Sequence, residues 1–210
     1  MNPDDFLADL AVERSVAILR TGDRDVAAEA MEAAVRGGFR ILEFTLGIPG
    51  AFDLVRRFSQ RPGLVVGVGT VLTVAEVAEA AGAGARFVVS PVVDSAVVRS
   101  AVERGLAAMP GTQTPTEMLT AYRAGAPLQK LFPAPGTGPA YVSACLAPLP
   151  FLRLVPTNGA DRDNCAAYLR AGAFAVGFTS PLFDAKELAT GRFDRVEARA
   201  RELRAAVAAA

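Results

Sequence analysis

Short apolar runs alternate with helix-patterned segments eight times along this 210-residue chain. The repeat is roughly 20–25 residues long, and such alternation is typical of strand–helix units that build a parallel sheet. Eight units in one chain of this length predict a (β/α)₈ TIM barrel, with a short N-terminal helix ahead of the first strand and one domain over residues 1–210. The eight apolar runs are residues 15–20, 41–46, 64–71, 86–91, 105–111, 127–134, 152–159 and 174–180.

The segments between these runs carry helix signals. Thr73 with Glu76, and Thr114 with Glu117, have the capping-box spacing that begins a helix. A doubly wound open sheet is the alternative arrangement of the same elements. It does not require the strands to end as uniformly as these do in polar, Gly or Pro residues, and we therefore favour the barrel. The other predicted helices cover residues 24–37, 50–60, 94–104, 139–146, 161–171 and 194–208.

The composition excludes several classes of function. Lys+Arg and Asp+Glu number 22 each, so no net charge directs the chain to nucleic acid or to a membrane surface. The chain has no histidine, which excludes Ser-His-Asp and Cys-His nucleophile systems and imidazole-ligated metals. No acidic cluster indicates a metal site. Cys145 and Cys165 form no metal-spaced motif, and a reduced, cytoplasmic setting is the simplest interpretation.

The sixth apolar run contains Lys130, one of only two lysines in the chain. Arginine cannot lose its proton in a protein, whereas a desolvated lysine can, and a neutral amine attacks carbonyl groups. The alternative is a strand-end lysine that extends to solvent. In the second run, strand alternation places Ile41, Glu43 and Thr45 on the face that lines the barrel. Glu43 and Lys130 then form either a buried ion pair or an amine with a carboxylate that moves its protons.

Polar residues at the strand ends predict where a ligand binds, because barrel active sites lie at the C-terminal ends of the strands. Arg20 has the fork geometry that suits a carboxylate. Thr70 and Thr157 either contact a ligand or bond their own backbone. Gly159 and Ser180 follow strands seven and eight, where barrels commonly bind phosphate, and an ordinary turn explains them equally well.

Seven motifs, in order across nearly the whole chain, resemble the KDPG/KHG aldolases, that is, the 2-keto-3-deoxy-6-phosphogluconate and 4-hydroxy-2-oxoglutarate aldolases. The motifs are GFRILEFTL, VGVGTVLT, ARFVVSP, MPGTQTPTE, LQKLFPA, VPTNG and VGFTSPL. The resemblance implies a homotrimeric barrel and a class I aldolase without metal or cofactor. It also implies a small keto-acid substrate, release of pyruvate, and carbohydrate metabolism of the Entner–Doudoroff type.

The resemblance also implies roles for individual residues. Lys130 matches the Schiff-base lysine and Glu43 the acid/base glutamate, which acts through a water. The substrate-binding positions of the family fall on residues that surround the pyruvate moiety, line an apolar pocket or bind phosphate. They are Thr70 and Thr157 at the pyruvate moiety, Pro91 and Phe132 in the apolar pocket, and Gly159 and Ser180 at the phosphate.

Three departures from the family pattern bear on the substrate. Gly47 stands where many members have an arginine, which makes Arg20 the expected anchor for the substrate carboxylate. Asn158 and the pair Phe178-Thr179 replace glycines where backbone approaches phosphate. Both a phosphorylated and an unphosphorylated hydroxy-keto acid therefore remain as candidate substrates.

Two other interpretations compete with the aldolase. A phosphosugar-epimerase or thiamin-phosphate-synthase-like barrel also binds phosphate after strands seven and eight, but this chain lacks the metal ligands or basic residues that such chemistry requires. A catalytically silent barrel that only binds a keto acid or sugar phosphate is the alternative from a different class, because fold alone does not fix function.

Overall fold

The computed structural model describes residues 3–210, so the first two residues of the predicted 1–210 domain lie outside the described residues. The strands of the described chain are β1 Ser15–Leu19, β2 Ile41–Thr45, β3 Val65–Gly69, β4 Phe87–Ser90, β5 Ala107–Thr112, β6 Gln129–Leu131, β7 Leu154–Pro156 and β8 Val176–Phe178. The helices are α1 Pro3–Glu13, α2 Arg24–Arg36, α3 Ala51–Ser59, α4 Val74–Gly82, α5 Ser95–Glu103, α6 Pro115–Arg123, α7 Pro139–Leu146, α8 Cys165–Arg170, α9 Ala185–Ala189 and α10 Phe193–Ala208.

The strands form one parallel sheet in the order β7-β6-β5-β4-β3-β2-β1-β8. A bridge between Thr157, which follows β7, and Gly177 of β8 joins the two ends of this sheet. The predicted (β/α)₈ barrel with an N-terminal helix is thus confirmed. Since the strands are parallel, all eight of those in residues 3–210 present their carboxyl ends at the same rim.

Two apolar clusters hold the barrel together. The larger one lies between the sheet and the outer helices and includes Leu42 and Phe44 of β2. The smaller one fills the barrel interior and includes Ile41 of β2, so strand alternation divides β2 as the sequence predicts. The interior cluster also contains Phe6 of α1, whose ring stacks on Phe87 with centroids 4.6 Å apart. Full burial of such a side chain contributes about 1.5–3 kcal/mol, so α1 stabilises the interior from its N-terminal side.

Local hydrogen bonds explain where the helices begin. Thr73 and Thr114 cap α4 and α6 in capping boxes with Glu76 and Glu117, as predicted. The predicted start of α8 at Asp161 is wrong. The Asp161 carboxylate accepts hydrogen bonds from the backbone N–H groups of residues 163 and 164 at 2.9 and 3.0 Å, which makes a separate turn before the helix.

The five-residue helix α9 has no counterpart in the predicted elements. It begins after Asp184, whose carboxylate accepts hydrogen bonds from the N–H groups of Lys186 and Glu187. A segment this short contains too few turns for a periodic pattern to reveal it. None of the helices described in residues 3–210 is both long and apolar enough to span a membrane.

Candidate active site

Lys130 and Glu43 meet inside the barrel. Lys130 is the central residue of β6 and Glu43 the central residue of β2, and the Lys130 Nζ lies 3.8 Å from the Glu43 Oε1. Their exposed fractions are only 7% and 1%. The Lys130 amine also lies 5.2 Å from the centre of the Phe132 ring, within the range of a cation–π contact. An amine and a carboxylate therefore face each other with little exposure to solvent.

Burial dominates the electrostatics of Glu43. It raises the pKa of the carboxyl above its ordinary value, while the positive charges of Lys130 and Arg20 partly oppose that rise. Both Glu43 oxygens are buried, and neither has a hydrogen-bond partner within the described part of the chain. A carboxyl group whose pKa is raised by burial binds a proton at higher pH than an exposed one, which suits it to proton transfer.

A cavity of about 280 Å³ opens beside Lys130 at the carboxyl ends of the strands; we call it the Lys130 cavity. Its lining combines charged, polar and apolar groups, as ligand sites commonly do. Four of the residues singled out from the sequence contribute to it: Arg20, Lys130, Phe132 and Ser180. The remaining lining residues are Ile18, Asn158, Thr179, Phe183 and Ala185.

Five predicted residues are not in the lining of the Lys130 cavity as the described chain forms it: Glu43, Thr70, Pro91, Thr157 and Gly159. Thr157 is fully buried, and its hydroxyl donates to the carbonyl of Val155 at 3.3 Å, which matches the backbone-bonding alternative. Gly159 has φ +147° and packs closely against Ala134. Thr70 has φ +64°, a left-handed conformation that strains a β-branched residue and that is found most often at functional sites.

Pro91 contributes to a second cavity of about 340 Å³, next to the first. Phe132 is in the lining of both cavities, so the two meet at this residue. The sequence therefore identifies Pro91 and Phe132 as rim residues but does not reveal that Pro91 lines the second cavity and not the Lys130 cavity.

The departures near strands seven and eight have different consequences. Asn158 and Thr179 are lining residues of the Lys130 cavity. Phe178 does not, because its ring packs edge-to-face on Phe39 in the outer apolar cluster, with centroids 6.0 Å apart. Strand alternation carries a signal for this outcome, since Phe178 is two residues from Val176 and both belong to the outer cluster. Phe183 and Ala185 were missed because α9 and the segment before it were not predicted.

Residues 3–210 contain no group of three or more Cys, Asp or Glu side chains close enough to hold a metal ion. What the described residues do bring together at the rim of a (β/α)₈ barrel is a buried amine, a carboxylate with a raised pKa and an open cavity. Such an arrangement is typical of lyases in which a lysine amine activates a carbonyl substrate.

Comparisons with known proteins identify the family within that class. The family model of KDPG and KHG aldolases matches residues 8–199. A probable 2-dehydro-3-deoxy-6-phosphogalactonate aldolase from Rhizobium meliloti is 37% identical over 171 residues, which are 80% of this chain and 81% of the relative. The KHG/KDPG aldolase of Escherichia coli K12 is 34% identical over 173 residues, 81% of either chain.

Solved structures of aldolases are also similar to this chain. The 2-keto-3-deoxy-6-phosphogluconate aldolase of Zymomonas mobilis, determined with 3-phosphoglycerate, superposes with a TM-score of 0.81 at 28% identity, over 95% of both chains. The chain belongs to the KDPG and KHG aldolase family. It is therefore an aldolase, a lyase that cleaves a carbon–carbon bond.

Proposed function

We propose that this chain cleaves a 2-keto-3-deoxy sugar acid to pyruvate and an aldehyde through an imine on Lys130. The observation that carries the proposal is the 3.8 Å approach of the Lys130 amine to the buried Glu43 carboxylate, beside an open cavity. The domain is the whole chain, residues 1–210, and no metal or cofactor takes part. The silent binding barrel becomes an outcome of the experiments below.

The steps follow from the two groups. The Lys130 amine adds to the C2 carbonyl, and loss of water from the resulting carbinolamine gives a protonated imine. Glu43, through a water, accepts the proton of the C4 hydroxyl. The C3–C4 bond then breaks, its electron pair moves toward the imine nitrogen, and the aldehyde leaves. Glu43 returns the proton to C3 of the enamine, and water releases pyruvate and the free amine.

The remaining site residues have proposed positions around this chemistry. Arg20 anchors the substrate carboxylate, because it lines the Lys130 cavity and its positive charge reaches Glu43. Thr70 and Thr157 shape the pyruvate end. The apolar wall is formed by Pro91 and Phe132, and the far end of the substrate lies against Gly159 and Ser180.

The substrate is proposed to carry a phosphate. The relatives above are named for phosphorylated sugar acids, and Ser180 lines the Lys130 cavity after β8, where barrels commonly bind phosphate. A second candidate is unphosphorylated 4-hydroxy-2-oxoglutarate. It is favoured by Asn158 and Thr179, which line the cavity at positions where the family has glycines with no side chain. The ratio of kcat/KM for the two substrates distinguishes them.

Reductive trapping tests the imine. With pyruvate and sodium borohydride, we expect one reduced pyruvyl adduct, mapped by mass spectrometry to the peptide that contains Lys130. The chain has only one other lysine, the exposed Lys186, so the map is unambiguous. No adduct, or an adduct on Lys186 alone, would contradict the proposal and favour a barrel that binds a keto acid without turnover.

Replacement of Arg20 tests the carboxylate anchor. We expect Arg20→Ala to raise KM by about 10–100-fold, the value of a hydrogen bond between charged groups. Since the Arg20 charge lowers the pKa of Glu43, its removal also moves the acid limb of the pH–rate profile to higher pH. Arg20→Lys keeps the positive charge but loses the two-pronged guanidinium group. It should show a smaller change in KM and in the acid limb than Arg20→Ala. An unchanged KM in Arg20→Ala would assign the carboxylate to other groups.

Two further proposals rest on the family alone. The chain assembles as a homotrimer, which sedimentation velocity at micromolar concentration measures directly. It acts in the cytoplasm on small sugar-acid metabolites of the Entner–Doudoroff type.

A further inference from the structure

The Glu43 carboxylate has a defined position but no hydrogen bond to hold it there. Both oxygens are buried without such a partner among the described residues, and the Lys130 amine at 3.8 Å is too distant for a hydrogen bond. Apart from the charge of Lys130, its position depends on packing. The carboxylate packs against Gly69 at the end of β3, where an added Cβ would lie 2.0 Å from the Glu43 Oε1 and 2.8 Å from its carboxyl carbon.

The interior face of β3 is unusual because two of its three residues are glycines. Alternation places Val65, Gly67 and Gly69 inward, and Val65 belongs to the interior cluster. The two glycines leave room for different neighbours. A Cβ on Gly67 would meet the Phe87 ring at 2.5 Å, whereas one on Gly69 would meet the carboxyl group of Glu43.

The backbone itself does not require glycine at position 69. Gly69 lies opposite Thr45 in the parallel ladder, and its carbonyl accepts a hydrogen bond from the Leu46 N–H at 2.9 Å. It is not among the residues of the described chain with positive φ, so an alanine fits the backbone conformation. Only the missing side chain matters there, and the space that it leaves is filled by the carboxylate.

We infer that Gly69 is a positioning residue for the aldol reaction: the space above its Cα lets the Glu43 carboxylate lie across β3, within reach of Lys130. A methyl group at this position would push the carboxylate off its present site. The inference rests on the proposed proton-transfer role of Glu43. It predicts that a change at position 69 impairs proton transfer at C3 while leaving formation of the Lys130 imine intact.

The test compares Gly69→Ala with Gly67→Ala and the unchanged protein. We expect Gly69→Ala to keep borohydride trapping of pyruvate on Lys130 and to lose about 100-fold in the rate of pyruvate C3–H exchange with D₂O, the cost of misplacing a reacting group by about 1 Å. Gly67→Ala crowds the same strand against Phe87 and controls for overpacking. It should lower the melting temperature similarly, with exchange close to that of the unchanged protein.

The outcomes separate the inference from the proposed function. If the unchanged protein neither traps pyruvate nor exchanges its C3 protons, the proposed function fails. If it does both and Gly69→Ala exchanges equally fast, or loses trapping and exchange together, only the role of Gly69 is overturned.

If the Gly69→Ala protein is too unstable to assay, a second measurement still tests the inference. In a Glu43→Ala background the carboxylate is gone, so Gly69→Ala should then cause little further loss of melting temperature. An equal loss with and without the Glu43 side chain would show that the space is not kept for the carboxylate.

Discussion

Lys130→Ala is expected to abolish aldol cleavage, with a loss of at least about 10⁴-fold in kcat, because the covalent nucleophile is removed. The measurement is pyruvate release from the cleaved keto acid, with borohydride trapping in parallel. Lys186→Ala is the matched control, since it removes the only other lysine, which is exposed on α9, and should keep nearly full activity. Near-normal cleavage by Lys130→Ala would end the imine mechanism.

A second substitution separates lost chemistry from lost stability. Lys130→Arg keeps a positive charge beside Glu43 but cannot supply a neutral amine, so it should fold well and remain inactive. In Lys130→Ala the largest of the charges that oppose the raised pKa of Glu43 is missing. A carboxyl whose folded-state pKa is raised destabilises the fold once it ionises. The melting temperature of Lys130→Ala should therefore fall, relative to the unchanged protein, as the pH rises through that pKa.

The barrel could be predicted from the sequence because its main signals are local. Each apolar run and each cap is defined within a few residues, and the eightfold repeat leaves few parallel architectures to choose from. The errors were local as well. The start of α8 was misplaced because residues 161–164 bond among themselves before the helix begins, and α9 is too short for a periodic pattern to detect.

The central pair of the site was also predictable, because strand alternation places Glu43 inside the barrel and a rare lysine marks β6. Distances across the barrel could not be predicted from the sequence. Alternation predicts that Pro91 and Phe132 lie at the rim, but not that Pro91 lines a second cavity that shares only Phe132 with the Lys130 cavity. The sequence also gives no sign that Gly69 faces a carboxylate, since a glycine at a strand end usually indicates a turn.

Glu43→Gln should lower kcat by about 10²–10⁴-fold, the usual contribution of a positioned general acid–base, while borohydride still traps pyruvate on Lys130. The amide has nearly the shape of the carboxyl but accepts no proton. The steps that move protons at the C4 hydroxyl and at C3 therefore slow, and the imine on Lys130 still forms. Single-turnover cleavage and pyruvate C3–H exchange measure these steps separately from trapping.

The pH dependence gives an independent test of the same residue. Burial raises the pKa of Glu43, so in the unchanged protein the carboxylate is lost at a higher pH than for an exposed glutamate. Activity that needs this base should fall as the pH decreases through the raised value. That acid limb should disappear in Glu43→Gln, whose residual rate no longer depends on this ionisation. If the limb persists unchanged in Glu43→Gln, another group carries the proton and Glu43 is only the counter-charge of Lys130.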